Sequence, residues 1–318
     1  MDVAVVAEFP LRDPGGNRIG LWRTLCSHGL VTLPPMQLDE GDRSLTVTLA
    51  LRSGRPRTVT IREGGGRGII ECAGRAPGAR ASAEIVAHVR HMLRLDIDLG
   101  SFYERALGDG HLAWAALEGA GRMVRSQTVF EDVVKTLCTT NCSWALTTKM
   151  VGALVSELGE PSPTAPAEGP WGRAFPTPEA MAAQDEAFYR EVVRAGYRAP
   201  YLRSLSRMAA AGEADLEAWG NASPEELRDE ELSALLSSLP GLGPYAVAHV
   251  MMILGRSSRL ILDSWTRPTY ARLTGRKKVA DATILRRFAR YRGHAGLAFW
   301  LFLTRDWASE EEPPPVVS

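Results

Sequence analysis

The chain has 318 residues, more than one hydrophobic core usually holds, so two units or one unit with a large extension are expected. Hydrophobic residues make up 45% and charged residues 23%, with zero formal net charge, the balance of an ordinary globular protein with no general pull toward nucleic acid or membrane. The start, MDVAVVAEFPLRD, lacks the basic region of a signal peptide, no apolar run approaches the ~18 residues that span a bilayer, and four cysteines (Cys26, Cys72, Cys138 and Cys142) argue against a disulfide scaffold and for a reducing cytoplasm.

Residues 1 to about 90 read as β. SLTVTLAL alternates, RSGRP turns and RTVTIRE alternates again, which is a hairpin pattern, and GGGRG and GRAPGAR are further turns. From about Ala83 the period changes to that of a helix, with Ile85, Val86, Val89, Met92 and Leu93 on one face. This predicts an α+β chain: an N-terminal antiparallel β-rich unit with its lead-in helix over 1–92, an all-helical core over 93–305, and a disordered tail over 306–318 ending in SEEEPPPVVS.

Within the helical part, TVFEDVVKTLC and WALTTKMVGALVSEL are strongly periodic, and residues 160–172 read as an exposed Pro/Gly/Ala loop. TPEAMAAQDEAFYREVVRAGY returns to helix behind Pro178. Ser223-Pro224-Glu225-Glu226 has the form of a capping box that opens a helix striped by Leu227, Leu232, Leu235, Leu236 and Leu239. Cys138 and Cys142 stand one helical turn apart with no second pair to complete a metal site, so no residue is assigned to a metal.

The stretch SLPGLGPYAVAHVMM places a tight turn between two helices. Pro240 stops the first helix, Gly241 and Gly243 permit positive φ or close backbone approach, and the next helix starts near Pro244. Its N-terminus offers unpaired N–H groups and partial positive charge, a fit for a phosphate that needs no side chain. Such a contact positions a nucleic acid without reading its sequence. Eighteen residues beyond Tyr245, Asp263 follows the apolar run RLIL and precedes a helix start near Arg267-Pro268. A lone Asp there reads first as a helix cap. Charge is unevenly spread: residues 256–292 hold eleven Lys/Arg against two Asp, and residues 213–231 hold eight Asp/Glu against one Arg. Solvated helix faces account for both runs, and the basic one, with Arg267, Arg272, Arg276, Lys277 and Lys278, is also a candidate phosphate-binding patch.

Hairpin, helix, apolar run and Asp in this order resemble the helix–hairpin–helix, Gly/Pro-Asp superfamily of DNA glycosylases, and LPGLGPYAVAHVMMILGRSSRLILDSWTR carries both halves of its signature. The resemblance extends over about 120–303, through TVFEDVVKTLCTTNCSWALTTKMVGAL, AGYRAPYL and HAGLAFWLFL, and the β-rich beginning is similar to the extra domain of the 3-methyladenine glycosylase II and 8-oxoguanine glycosylase branches. It implies a monomeric enzyme of the cytoplasm or nucleoid that works on double-stranded DNA containing a damaged base. The hairpin, 239–245, would contact DNA through Leu239, Gly241, Leu242 and Gly243. Asn141, Tyr197 and Arg198 fall where 8-oxoguanine glycosylases place residues that fill the gap and wedge the duplex, and Arg267 would add a phosphate contact. No cofactor and no iron–sulfur cluster are implied, with a monovalent cation at the hairpin as the one candidate ligand.

By the same resemblance, Asp263 would stabilise the oxocarbenium-like charge that forms when the flipped base leaves the sugar, and orient or deprotonate the attacking water. Family members that also cut the strand carry a lysine where this chain has Tyr245, and a phenol cannot form their imine, so an enzyme without lyase chemistry is expected. Leu146, Phe299 and Leu303 replace three residues that 8-oxoguanine glycosylases use for recognition. An aromatic pocket of Tyr245, Trp144, Trp265, Phe299 and Trp300, lined also by His249, would suit a cationic alkylated purine. Alkylated-purine excision is therefore the leading expectation. An oxidised-purine glycosylase such as one for 8-oxoguanine, or a hairpin DNA-binding protein without chemistry, are the alternatives.

Overall fold

Strict alternation in residues 44–63 buries one face of each strand, and the computed structural model, which describes residues 3–308, turns that pattern into a sheet. Strands β1 (Val3–Pro10), β2 (Met36–Asp39), β3 (Ser44–Leu51), β4 (Gly54–Gly64) and β5 (Arg67–Ala73) lie in the order β1-β5-β4-β3-β2. Every pair is antiparallel, and the β3–β4 hairpin pairs Val47 with Val59 and Leu45 with Ile61. These inward side chains form one cluster with Ile85, Val89, Met92 and Leu93 of the first long helix. That helix starts at Ala79, four residues before the change of period, because its first turn is solvent-facing and carries no apolar stripe.

Fourteen α-helices are present among the described residues: α1 Leu21–Leu25, α2 Ala79–Leu93, α3 Gly100–Leu107, α4 Ala113–Glu118, α5 Val129–Thr139, α6 Trp144–Leu158, α7 Pro178–Ala182, α8 Ala199–Ala210, α9 Leu216–Asn221, α10 Asp229–Ser237, α11 Pro244–Ile253, α12 Thr266–Leu273, α13 Asp281–Phe288 and α14 Ala295–Thr304. An antiparallel sheet at the N-terminal end followed by helices is the α+β order read from the sequence. The helices build two further clusters. One gathers α5, α6, α8, α10 and most of α11; the other gathers α3, α4, α12, α13 and α14 with Ala248 and Met252 of α11. Helix α11 is buried on nearly all sides and lies on the seam between them.

Three local expectations change. The span behind Pro178 is not one helix: α7 ends at Ala182, and a single π turn over Phe188–Val192 follows after Asp185 caps Phe188 through a 2.9 Å bond. The Ser223/Glu226 capping box forms, with bonds of 2.8 and 3.3 Å, but closes only one turn; the helix itself begins at Asp229, capped by Arg228 and Glu231. Residues 160–172 are partly anchored, since Pro161 bridges Arg173 and Ser162 is buried. The expected tail falls mostly on residues 309–318, outside the described residues. Its first part, Arg305–Ala308, forms a short 3-10 turn.

Candidate active site

Leu239 and Leu242 are buried in the α5–α11 cluster, and the chain becomes exposed just after them, at Gly243 and Pro244. Gly241 has φ +79°, and a β-carbon there would lie 2.7 Å from Tyr201 and 2.8 Å from Leu137, so both conformation and space select glycine. Gly243 caps α11 without a side-chain bond, and Pro244 opens it. The N-terminal end of α11 is therefore open to solvent, as an anion site requires.

Asp263 is set by contacts far along the chain. Arg256 is not part of a basic face: it is buried and bound to Asp229 and to the carbonyls of Ala222 and Leu227. Residues 257–259 then press on α14, where the Gly296 N–H donates to the Ser257 carbonyl at 2.7 Å and a β-carbon on Gly296 would meet the Arg259 carbonyl at 2.0 Å. Ile261 is buried, and the chain delivers Asp263 half-buried to the start of α12. There Asp263 Oδ1 accepts the N–H groups of Trp265 (2.9 Å) and Thr266 (2.6 Å), while Thr266 Oγ1 accepts the Asp263 N–H at 2.8 Å. The capping reading is thus realised, and it uses one oxygen. The carboxylate also lies near Tyr245: burial chiefly raises the Tyr245 hydroxyl above its ordinary pKa, and the Asp263 charge adds to the rise. Tyr245 itself packs against both helical clusters.

Around this point lies a chain of rings. Tyr245 and His249 have centroids 5.8 Å apart, His249 and Trp300 6.3 Å, Trp300 and Trp265 5.7 Å. Trp144, exposed at the start of α6, has no ring contact with this group and lies instead against Gly29, where an added β-carbon would be 3.2 Å from its ring. Phe299 is not brought to the group. It is fully buried against Tyr270 and Phe288 on the opposite face of α14, because neighbouring helix positions point about 100° apart. Two members escaped the sequence reading. Trp307, expected in the tail, packs on Trp265 at 5.5 Å and Trp300 at 5.6 Å. His28, in a stretch read as β, lies 6.1 Å from His249, and the neighbouring Ser27 carbonyl accepts the Trp300 indole N–H at 2.8 Å. The only signal for either was a Trp and a His in segments assigned no core role.

The proposed wedge residues form their own group. Asn141, with φ +47°, donates to the Tyr197 hydroxyl at 3.3 Å, and Tyr197 is 50% exposed. Arg198 is only 3% exposed; it donates to the Thr140 carbonyl and stacks on Tyr197, so it supports the Tyr197 ring rather than presenting itself to a ligand. Arg267 is exposed but paired bidentately with Asp281 at 2.8 and 2.9 Å. Arg272, Arg276, Lys277 and Lys278 are exposed. No group of three His, Cys, Asp or Glu side chains able to hold a metal ion occurs among the described residues, and no helix there is long and apolar enough to cross a membrane.

A hairpin that presents helix N–H groups, with an Asp one helix and one extended run further on, is the architecture of the helix–hairpin–helix Gly/Pro-Asp DNA glycosylases, and this chain has that fold. No family model matches the chain. Among solved structures it resembles a 3-methyladenine DNA glycosylase from Archaeoglobus fulgidus (TM-score 0.71, 20% identity, 95% of this chain and 99% of that one). It also resembles MBOgg1 in complex with a low-affinity DNA ligand (TM-score 0.69, 20% identity, 97% and 100%) and an 8-oxoguanine glycosylase/lyase from Clostridium acetobutylicum (TM-score 0.61, 19% identity, 82% and 95%). Curated relatives are an N-glycosylase/DNA lyase of Saccharomyces cerevisiae (25% identity over 174 residues, 53% of this chain) and a probable N-glycosylase/DNA lyase of Methanothermobacter thermautotrophicus (24% over 200 residues, 56% of this chain). The matches span 45% and 61% of those two proteins.

Proposed function

We propose that the protein is a DNA N-glycosylase that hydrolyses the bond between a damaged base and its deoxyribose and leaves the strand uncut. The observation that carries this reading is the pairing of a solvent-open hairpin N-terminus with a carboxylate, Asp263, fixed at the start of α12 by two backbone N–H groups. The hairpin N–H groups would hold a phosphate of duplex DNA, with the exposed Arg272, Arg276, Lys277 and Lys278 adding charge. Asn141 and Tyr197 would enter the space vacated by the flipped base. As the base departs, positive charge grows on the sugar, and a fixed carboxylate in a site poor in water stabilises it. Asp263 would also receive a proton from the attacking water. Tyr245 stands where a lyase needs an amine, and it offers none. The names of the curated relatives include lyase activity, and this residue is the reason for departing from them.

For the substrate, an oxidised purine is proposed ahead of the alkylated purine expected from the sequence, supported by the likeness to the 8-oxoguanine glycosylase/lyase of Clostridium acetobutylicum. An alkylated purine remains the second reading. It is favoured by the ring wall of Tyr245, Trp265 and Trp300 and by the Archaeoglobus fulgidus neighbour. The protein is proposed to act as a monomer in the cytoplasm and without a cofactor. Duplexes carrying a single 8-oxoguanine, hypoxanthine or alkylated adenine, read before and after alkali, test the proposal. Breaks that need alkali are expected. Breaks without alkali, or a borohydride-trapped adduct, would overturn the hydrolytic reading, and release of no base with intact DNA binding would leave a binding module.

A further inference from the structure

Two buried histidines stand behind the ring wall, and neither has its full set of hydrogen bonds. His249 is 7% exposed, and both of its ring nitrogens lack partners. His28, 2% exposed, has Nε2 2.7 Å from the Val124 carbonyl, and its Nδ1 lacks a partner. Buried polar atoms are nearly always paired, and three orphaned nitrogens on two adjacent rings are a local cost that packing alone does not demand. We propose that His28 and His249 are a specificity-determining pair that hydrogen-bonds the flipped base and reads an edge carrying a ring N–H. This rests on the glycosylase reading above.

The donor pattern follows from the contacts. A carbonyl can only accept, so the proton of neutral His28 sits on Nε2 and its Nδ1 is an acceptor. His249 has no fixed partner on either nitrogen and can serve as donor or acceptor. The groups facing the pair are Tyr245 on α11, Trp300 on α14, the Val124 carbonyl and, at longer range, the Lys135 ammonium on α5. No carboxylate among the described contacts favours protonating either ring, and burial holds both far below the usual histidine range. The pair therefore offers a fixed acceptor beside an adaptable group. A base with a ring N–H next to a carbonyl meets both: 8-oxoguanine presents N7–H beside C8=O, and hypoxanthine presents N1–H beside C6=O. In 3-methyladenine no ring nitrogen carries a proton and there is no carbonyl, so neither contact can form. The pair thus separates the two substrate readings by chemistry.

The test is single-turnover excision from duplexes with 8-oxoguanine, hypoxanthine or 3-methyladenine by the full chain and by His249→Phe, His249→Gln and His28→Phe. His249→Phe keeps a flat ring and removes both nitrogens. Its rate on the N–H-bearing lesions is expected to fall roughly ten- to a hundredfold relative to 3-methyladenine, with DNA affinity and melting temperature held and partial recovery in His249→Gln. An equal loss on all lesions, or none, would overturn the pairing role while leaving the glycosylase reading intact. A wild-type protein that releases no base from any duplex would overturn the glycosylase reading itself. Should His28→Phe fail to fold, imidazole ¹⁵N shifts of the wild-type protein, bound to duplex with a non-hydrolysable 8-oxoguanine nucleotide, give the same answer. His28 Nδ1 must move toward the hydrogen-bonded range, and an unmoved shift overturns the proposal.

Discussion

At Asp263, Oδ1 is occupied by the N–H groups of Trp265 and Thr266, and an asparagine can accept the same two bonds. Asp263→Asn is therefore expected to keep the fold and the affinity for DNA. It should lose roughly a hundred- to a thousandfold in excision rate, since a preorganised charge contributes about that much to a transition state. Unchanged excision, or a loss of melting temperature that accounts for the whole effect, would remove Asp263 from its proposed role. Gly241 makes a second residue-scale case. With φ +79° and Tyr201 and Leu137 within 2.8 Å of an added β-carbon, Gly241→Ala is expected to cost about 1 kcal/mol or more from conformation alone. The turn would shift as well, so DNA affinity should drop together with the urea midpoint. A midpoint equal to wild type would show that the turn tolerates a side chain.

Helix α5 is buried along most of its length, yet it carries an ion pair in its middle: Lys135 Nζ lies 2.6 Å from Glu131 and 3.3 Å from the Leu33 carbonyl, with the Phe175 ring 5.9 Å away. Leu33 follows the short helices of the sheet-bearing part, so this lysine ties that part to the helical one. Lys135→Met leaves Glu131 buried without its counter-charge and is expected to destabilise by about 3–5 kcal/mol. Adding Glu131→Leu should recover most of the loss. Thermal melting of the two variants checks this, and a double variant no better than the single one would count against the explanation. Local signals did less well for elements held by such contacts. The Ser223 capping box is chemically real but stops after one turn, and α10 begins where Arg256 can reach Asp229.

For the molecule as a whole, acid should be destabilising in a defined window. Burial lowers His28 to about 3 and His249 to about 4, and His91 also falls to about 4. Unfolded histidines take up protons near pH 6.5, whereas these folded ones do not until much lower pH. The unfolded state then binds more protons, so stability present above pH 6.5 is lost as pH falls toward 4, by roughly 1.4 kcal/mol per unit for each fully buried histidine. Asp132, raised to about 6 chiefly by burial, acts in the opposite sense over roughly pH 6 to 4 and offsets one of them. Urea midpoints at pH 7 and pH 5 measure the balance. A lower midpoint at pH 5 is expected, and His249→Phe should narrow the difference.

Much of this was written in short stretches of chain. The β3–β4 hairpin, the turn at Gly241 and the order of hairpin, helix and Asp263 all follow from local rules: period, φ preference and the N–H groups of a helix start. The ring site was not. Ser27 meets Trp300 across 273 residues, His28 meets His249, and Trp307 returns from the chain end to cover Trp265. Phe299 and Trp300 are adjacent in sequence and both buried, yet one packs on Tyr270 and Phe288 and the other on His249 and Trp265, because which face of α14 meets α11 depends on the packing of the second helical cluster. Side-chain type and spacing fix what a segment becomes. Only long-range packing decides which of its side chains join the ring group.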